Sequence, residues 1–193
     1  MIAKKLSLSL KIREITCNRL NLRKAKIPKM KNFTFLFLIL FSSVCVAQDK
    51  FELTPTGFNP VEIAKPSKTN EQLIESARAW ADSYNKREYD IYDVSENSIS
   101  IDGMKDNAFY YRNVGETYYF RIKYGVKLTF GANTITMTYS VKEIYQKKTL
   151  IKSTIADYFT PDGKLKEDFE DIKPSLEQTA NNLLKSYLAI YAN

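Results

Sequence analysis

At 193 residues, 44% of them hydrophobic, the chain is long enough for one domain with a buried core, and its formal net charge is +7. It contains no histidine and two cysteines, Cys17 and Cys45. Ser-His-Asp and Cys-His nucleophile systems are thereby excluded, as are metal centres built on imidazole.

Residues 1–29 are rich in Lys and Arg and show no apolar period or helix cap, which reads as a segment upstream of the true start. From Met30 the sequence MKNFTFLFLILFSSVCVAQDK has the form of a secretory signal, residues 30–47. Lys31 supplies the charged start, Phe33 to Val46 the apolar run, and Cys45 and Ala47 small residues at the −3 and −1 places of a cleavage site. The apolar run is shorter than the ~20 residues that a spanning helix needs. Cleavage after Ala47 is therefore expected, with export to the periplasm or outer envelope and no transmembrane helix remaining. Lipidation at Cys45 is the rival, but Ser42 and Val44 stand where a lipid-attachment motif wants a Leu-like and a small residue.

Cleavage would invert the electrostatics. Ten of the 29 Lys and Arg, but one of the 22 acids, precede Gln48, leaving 19 basic and 21 acidic residues and a balance of −2. Nucleic-acid binding draws on a basic surface, so none is expected. Both cysteines would leave with the signal, taking disulfides and thiolate metal sites with them. Carboxylate, Lys, Tyr and Ser/Thr chemistry remains. Gly125 and Gly131 do not form a phosphate loop, since neither leads into Lys-Ser/Thr. Asp157 and Asp162-Gly163 fail calcium-loop spacing, because Phe159 and Pro161 fall on ligand places; TPDGK reads as a plain turn. No cofactor or metal is expected.

Residues 48–60, with two prolines, read as an extended lead-in to a single α+β domain over 61–193. VEIA (61–64) reads as a short strand ended by Pro66. Thr69 and Gln72 form a capping-box pattern for a helix over 70–86, with Leu73, Ala77, Trp80, Ala81 and Tyr84 as its apolar stripe. Trp80 is read as a core anchor. YDIYDV and SISIDG flank a Ser95-Glu96-Asn97 turn as a hairpin.

The clearest periodicity follows. Tyr118, Phe120, Ile122, Tyr124, Val126, Leu128 and Phe130 alternate with Tyr119, Arg121, Lys123, Gly125, Lys127 and Thr129. After a GAN turn, Ile135, Met137, Tyr139 and Val141 alternate with Thr134, Thr136, Thr138, Ser140 and Lys142. One covered and one wet face call for helices on a single side. The second helix begins around Pro174 and carries a stripe from Leu176 through Ala180, Leu183, Leu184, Tyr187 and Leu188 to Tyr191. Residues 146–170 fit either a further strand or an irregular crossing, and KLKEDFEDIK either precedes or joins the last helix.

This order of elements, with the stretches VEIAKPSKTNEQLIESARAWADSYN, YDIYDVSENSISIDG and YYFRIKYGVKLTF, resembles a family of exported Bacteroidetes proteins of unknown function with a TBP-like fold, the half-saddle of the TATA-box-binding protein. The resemblance spans roughly residues 60–145, with the final helix added on topology. It implies an antiparallel curved sheet of about five strands with two helices on one face, and it implies no activity.

The outward face gives the candidate binding residues: Tyr119, Arg121, Lys123, Lys127 and Lys142. Read functionally, they form a cationic, aromatic-bearing platform for an envelope protein, an acidic glycan or a lipid headgroup. Read plainly, they are the solvated side of a sheet. A second reading is a hydrolase or lyase using Asp90, Asp93 and Asp102 with a tyrosine donor, although no convergent nucleophile, base and orienting group can be named. A third places a small apolar ligand between sheet and helices against Tyr118, Tyr124 and Tyr139. Packing beneath the helices is the plainer role for those rings.

Overall fold

The computed structural model describes residues 50–86 and 88–191. The upstream segment and the expected signal peptide lie outside the described residues.

Chain entry is more structured than an extended lead-in. Leu53–Thr54 (β1) and Gly57–Phe58 (β2) pair antiparallel, and Phe51 and Leu53 are buried. Their backbone groups are met by the last helix: Asn181 accepts from the Phe51 N–H at 2.8 Å and donates to its carbonyl at 3.0 Å, and Glu177 accepts from the Leu53 N–H at 2.9 Å. These bonds pair backbone groups that burial of the two side chains would otherwise leave unsatisfied.

The main sheet has six strands: β3 (Val61–Ala64), β4 (Tyr89–Ser95), β5 (Ser98–Asn113), β6 (Glu116–Phe130), β7 (Thr134–Gln146) and β8 (Thr149–Ile151). Its order is β3-β7-β6-β5-β4, all antiparallel, and β8 pairs with the other end of β7. The sixth strand is the three-residue β8, in the stretch that sequence reasoning left open. The β5–β6 connection is Val114–Gly115, both at positive φ (48° and 79°), as a two-residue hairpin turn requires.

The expected inward residues of β6 from Phe120 to Phe130 are all buried, as are Ile135, Met137 and Tyr139 of β7. Three irregularities interrupt the ladder, the first on β4 between Tyr92 and Ser95, where Asp93 takes φ 50°. Between Lys105 and Phe109, β5 advances four residues while β6 moves from Ile122 to Phe120, with Asn107 at φ 49°. On β7, Lys142 is the extra residue, because Glu143 faces Lys123 while Val141 faces Tyr124. Such bulges bend a strand and re-aim its side chains.

Both helices pack on the inner face. The first, α1 (Asn70–Asn85), begins with the expected capping box: Thr69 Oγ1 accepts from the Gln72 N–H at 3.2 Å and Gln72 Oε1 from the Thr69 N–H at 2.9 Å. Its buried stripe includes Leu73, Ala77, Trp80 and Ala81. The second, α2 (Ile172–Tyr191), buries Leu176, Ala180, Leu183, Leu184 and Tyr187. KLKEDFEDIK precedes it, holding a short 3-10 turn at Glu167–Phe169. Trp80 is fully buried, stacks on Tyr84 and donates from Nε1 to Ser186 Oγ at 2.9 Å, tying the two helices together. In TPDGK, Gly163 takes φ 80° and Thr160 holds the Lys164 backbone on both sides, the turn that the sequence implied. Asp157 serves as a local cap: hydrogen bonds from the Thr154 N–H and hydroxyl hold its carboxyl below the usual range.

Candidate functional site

Strand alternation places Arg121, Lys123 and Lys127 of β6 on the outer face, and the β7 bulge brings Lys142 over them. Asp102 of β5 lies at the centre of this face, opposite Gly125. A Cβ on Gly125 would stand 2.7 Å from Lys142 Cε, 3.0 Å from Ser140 Oγ and 3.2 Å from Asp102 Oδ1. The bare glycine backbone is therefore what lets Lys142 cross from β7 to β5. There its Nζ sits 2.6 Å from Asp102 Oδ1 and donates to the Tyr92 hydroxyl at 2.6 Å. Tyr92 in turn donates to Asp102 Oδ1 at 3.0 Å, and Lys123 lies 3.8 Å from Oδ2. Asp102 is 8% exposed, so it does not simply point to water as a strand residue facing outward would suggest. Partial burial works to lower the Lys142 amine, but its bonds to Asp102 and Tyr92 outweigh that and raise it. The amine is thus held as a cation.

The remaining cations of the face are also paired. Arg121 bonds Glu88 at 2.8 Å and its Nε stands 3.2 Å from Asp106 as an ion pair without hydrogen-bond geometry, and Lys127 bonds Asp93 at 3.0 Å. Asp106 belongs to the β5 bulge and Glu88 to the segment before β4, so neither partner lies in the strand alternation that exposed the cations. The expected platform is present as a surface, but its positive charges are matched locally by carboxylates. Tyr119 is 55% exposed and packs on Tyr110 with centroids 5.8 Å apart; the Arg112 guanidinium lies 5.2 Å from the Tyr110 ring.

Beside Arg121 and Lys123 the face dips into an open depression of about 410 Å³, floored by Gly103 and Met104 and walled by Glu143 and Tyr145 among others. The Tyr145 hydroxyl donates to Glu143, which raises its pKa and fixes the ring. Of the three acids considered for catalysis, Asp93 is paired with Lys127, Asp102 is enclosed by two lysines and a tyrosine, and Asp90 lines the depression. Among the described residues, no group of three or more acidic, His or Cys side chains could hold a metal ion.

On the inner face, Tyr124 and Tyr139 are buried and stacked at 5.6 Å, and Tyr118 stacks on Tyr111 at 5.2 Å. Tyr124 and Tyr139 fill the space beneath the helices, whereas Tyr118 is half-buried near the β5–β6 turn with its hydroxyl donating to Glu116. Tyr124 donates to Asn85 Oδ1, and burial raises its hydroxyl well above the ordinary tyrosine range.

Glu88, Asp106, Tyr92, Tyr110, Glu143 and Tyr145 did not emerge from the sequence as site residues. One signal was present: a glycine in the outward register of an otherwise regular strand marks a close approach.

This fold has solved relatives. A DUF4468 family protein from Bacteroides ovatus superposes with a TM-score of 0.51 at 13% identity, covering 70% of this chain and 85% of that one. A TBP-like protein from Parabacteroides distasonis gives 0.46 at 12% identity, over 70% and 92%. At such identity the first of these likenesses establishes the α+β fold alone, in agreement with the resemblance read from the sequence. No family model and no curated protein matches the sequence.

Proposed function

We propose that the protein is an exported, non-catalytic binding module that meets its partner through the outer face of the sheet. The observation that carries this reading is the depression beside Arg121 and Lys123, set in a face that neither helix covers. Export rests on the Met30–Ala47 signal pattern, which also removes the excess positive charge and with it the case for nucleic acid. The chemistry of Asp102 argues against a catalytic role. A general base needs a free lone pair within reach of a substrate proton. This carboxylate already accepts from Lys142 and Tyr92 and lies near Lys123. The hydrolase or lyase reading keeps one supporting contact, the Tyr92–Asp102 bond.

Reversing Arg121 and Lys123 to Glu in the native host, followed by affinity capture from the envelope, tests the reading. Loss of a specifically retained partner, with the variant still folded, is the expected result. Unchanged capture and envelope phenotype would make the face ordinary surface. Turnover of any substrate that is lost on Asp102→Asn, with folding intact, would favour the enzyme instead.

A further inference from the structure

The depression's own chemistry narrows what it can hold, and the following inference rests on the binding-face reading above. Charge comes first. Arg121 is engaged by Glu88 and Asp106, and Lys123 lies near Asp102, so an anionic ligand would have to displace a carboxylate already in place. A cation would meet Arg121 and Lys123. The lining sets four carboxylates, of Glu88, Asp90, Asp102 and Glu143, against these two cations. An anion is therefore the least suited ligand, while a cation shares the hollow with Arg121 and Lys123.

Hydrogen-bonding capacity is nonetheless dense. Lys123 offers an ammonium and Arg121 the N–H groups not turned to Glu88 and Asp106, while Asp90 and Glu143 offer carboxylate oxygens around the same hollow. Interleaved donors and acceptors suit a ligand whose groups are both at once. The protein interfaces that bind tightly have cores depleted of charge, which this hollow is not. Its volume of about 410 Å³ belongs to the class of small-molecule sites.

The third observation is aromatic. Tyr145 stands on the wall with its hydroxyl tethered to Glu143, leaving the ring as a fixed apolar plate. Further along β6, Tyr119 lies four residues from Lys123, about 13 Å at strand spacing, and is backed by Tyr110.

We propose that the depression binds a neutral saccharide: one or two sugar rings beside Tyr145, with the glycan continuing along β6 toward Tyr119. Each sugar hydroxyl donates and accepts, and adjacent hydroxyl pairs match the Lys123 ammonium and the carboxylate of its cross-strand neighbour Glu143. The carbon-bound hydrogens of a pyranose face stack on a tyrosine ring. Such a ligand carries no charge of its own and so displaces none of the ion pairs already in place.

The test uses the purified protein against hexaoses of glucose, xylose, mannose and N-acetylglucosamine, with a heparin hexasaccharide and an oligogalacturonate as charged comparators. Titration calorimetry is run at about 0.1 and 0.5 M salt, where screening lengths differ roughly twofold. The expected result is binding of at least one neutral hexaose with little salt dependence. Tyr145→Ala and Glu143→Gln should each weaken it about tenfold, the scale of one lost central contact. Tyr119→Ala should weaken the hexaose but not its disaccharide, and thermal melts should show each variant folded. Binding confined to the charged comparators and abolished by salt would overturn the proposal. So would binding of no glycan while the Arg121/Lys123 reversal abolishes capture of a protein, an outcome that leaves the binding face standing. Binding of no glycan, with capture also indifferent to the reversal, would remove both.

Discussion

The two faces of the same sheet solve opposite problems with the same device. On the inner face, Gly103 lets Tyr124 and Asn85 meet against the backbone: a Cβ there would stand 2.5 Å from Asn85 Oδ1 and 2.6 Å from the Tyr124 hydroxyl. On the outer face, Gly125 opens the lane by which Lys142 reaches Asp102. Inside, the gap is filled by a buried aromatic ring and a helix-end amide that cannot move away. Outside, it is filled by the flexible end of a lysine. Close packing is rigid within a core and forgiving at a surface, so equal clashes should have unequal consequences.

Gly103→Ala breaks the inner contact and should cost the most, about 3 kcal/mol of unfolding free energy in urea denaturation, because neither Tyr124 nor Asn85 has room to retreat. Asp102→Asn comes next. It leaves Lys142 and Lys123 facing each other without their shared carboxylate. Breaking a fully buried pair would cost more, but both lysine side chains are about a third exposed (36% and 32%), so screening reduces the expectation to about 2 kcal/mol. Gly125→Ala should cost only about 1 kcal/mol, since Lys142 can swing into solvent. A loss equal to that of Gly103→Ala would show that the outer cluster is as tightly packed as the core.

The smallest effect has the opposite sign. The Tyr139 hydroxyl is buried and has no hydrogen-bond partner, so Tyr139→Phe should stabilise the protein by about 0.5 kcal/mol at neutral pH. Burial raises that hydroxyl well above the ordinary value of 10.0. The group's contribution is therefore complete below pH 10 and is lost as pH climbs toward the folded value, because the unfolded chain ionises first. The advantage of Tyr139→Phe should widen above pH 10, as thermal melts against pH would show. A gap that stays constant would mean the hydroxyl reaches water.

The contrast between faces also explains what the sequence disclosed. Alternation over Tyr118–Phe130 and Thr134–Val141 identified which side chains face inward, because a period of two depends only on strand geometry. The Thr69/Gln72 pair marked the start of α1 for an equally local reason. Electrostatic partners were not local. Asp106 reaches Arg121 from a bulge, Lys142 reaches Asp102 because one extra residue enters β7, and Glu88 precedes its strand. A run of outward cations therefore read as a platform, when Arg121, Lys127 and Lys142 met carboxylates through bulges or from outside the strand. The pairing of β1 with β2 escaped for a similar reason, since its backbone is satisfied by Asn181 and Glu177, more than a hundred residues away.

The cations of the outer face are held by local carboxylates rather than free. A double-mutant cycle on Asp102→Asn and Lys142→Met, read by urea denaturation at about 0.1 and 0.5 M salt, tests this most directly. The account predicts a coupling of about 1 kcal/mol, at the upper end for a partly exposed pair, that survives the higher salt. A coupling indistinguishable from zero would mean that Lys142 ranges free in solvent, and would restore the face to a plain cationic stripe.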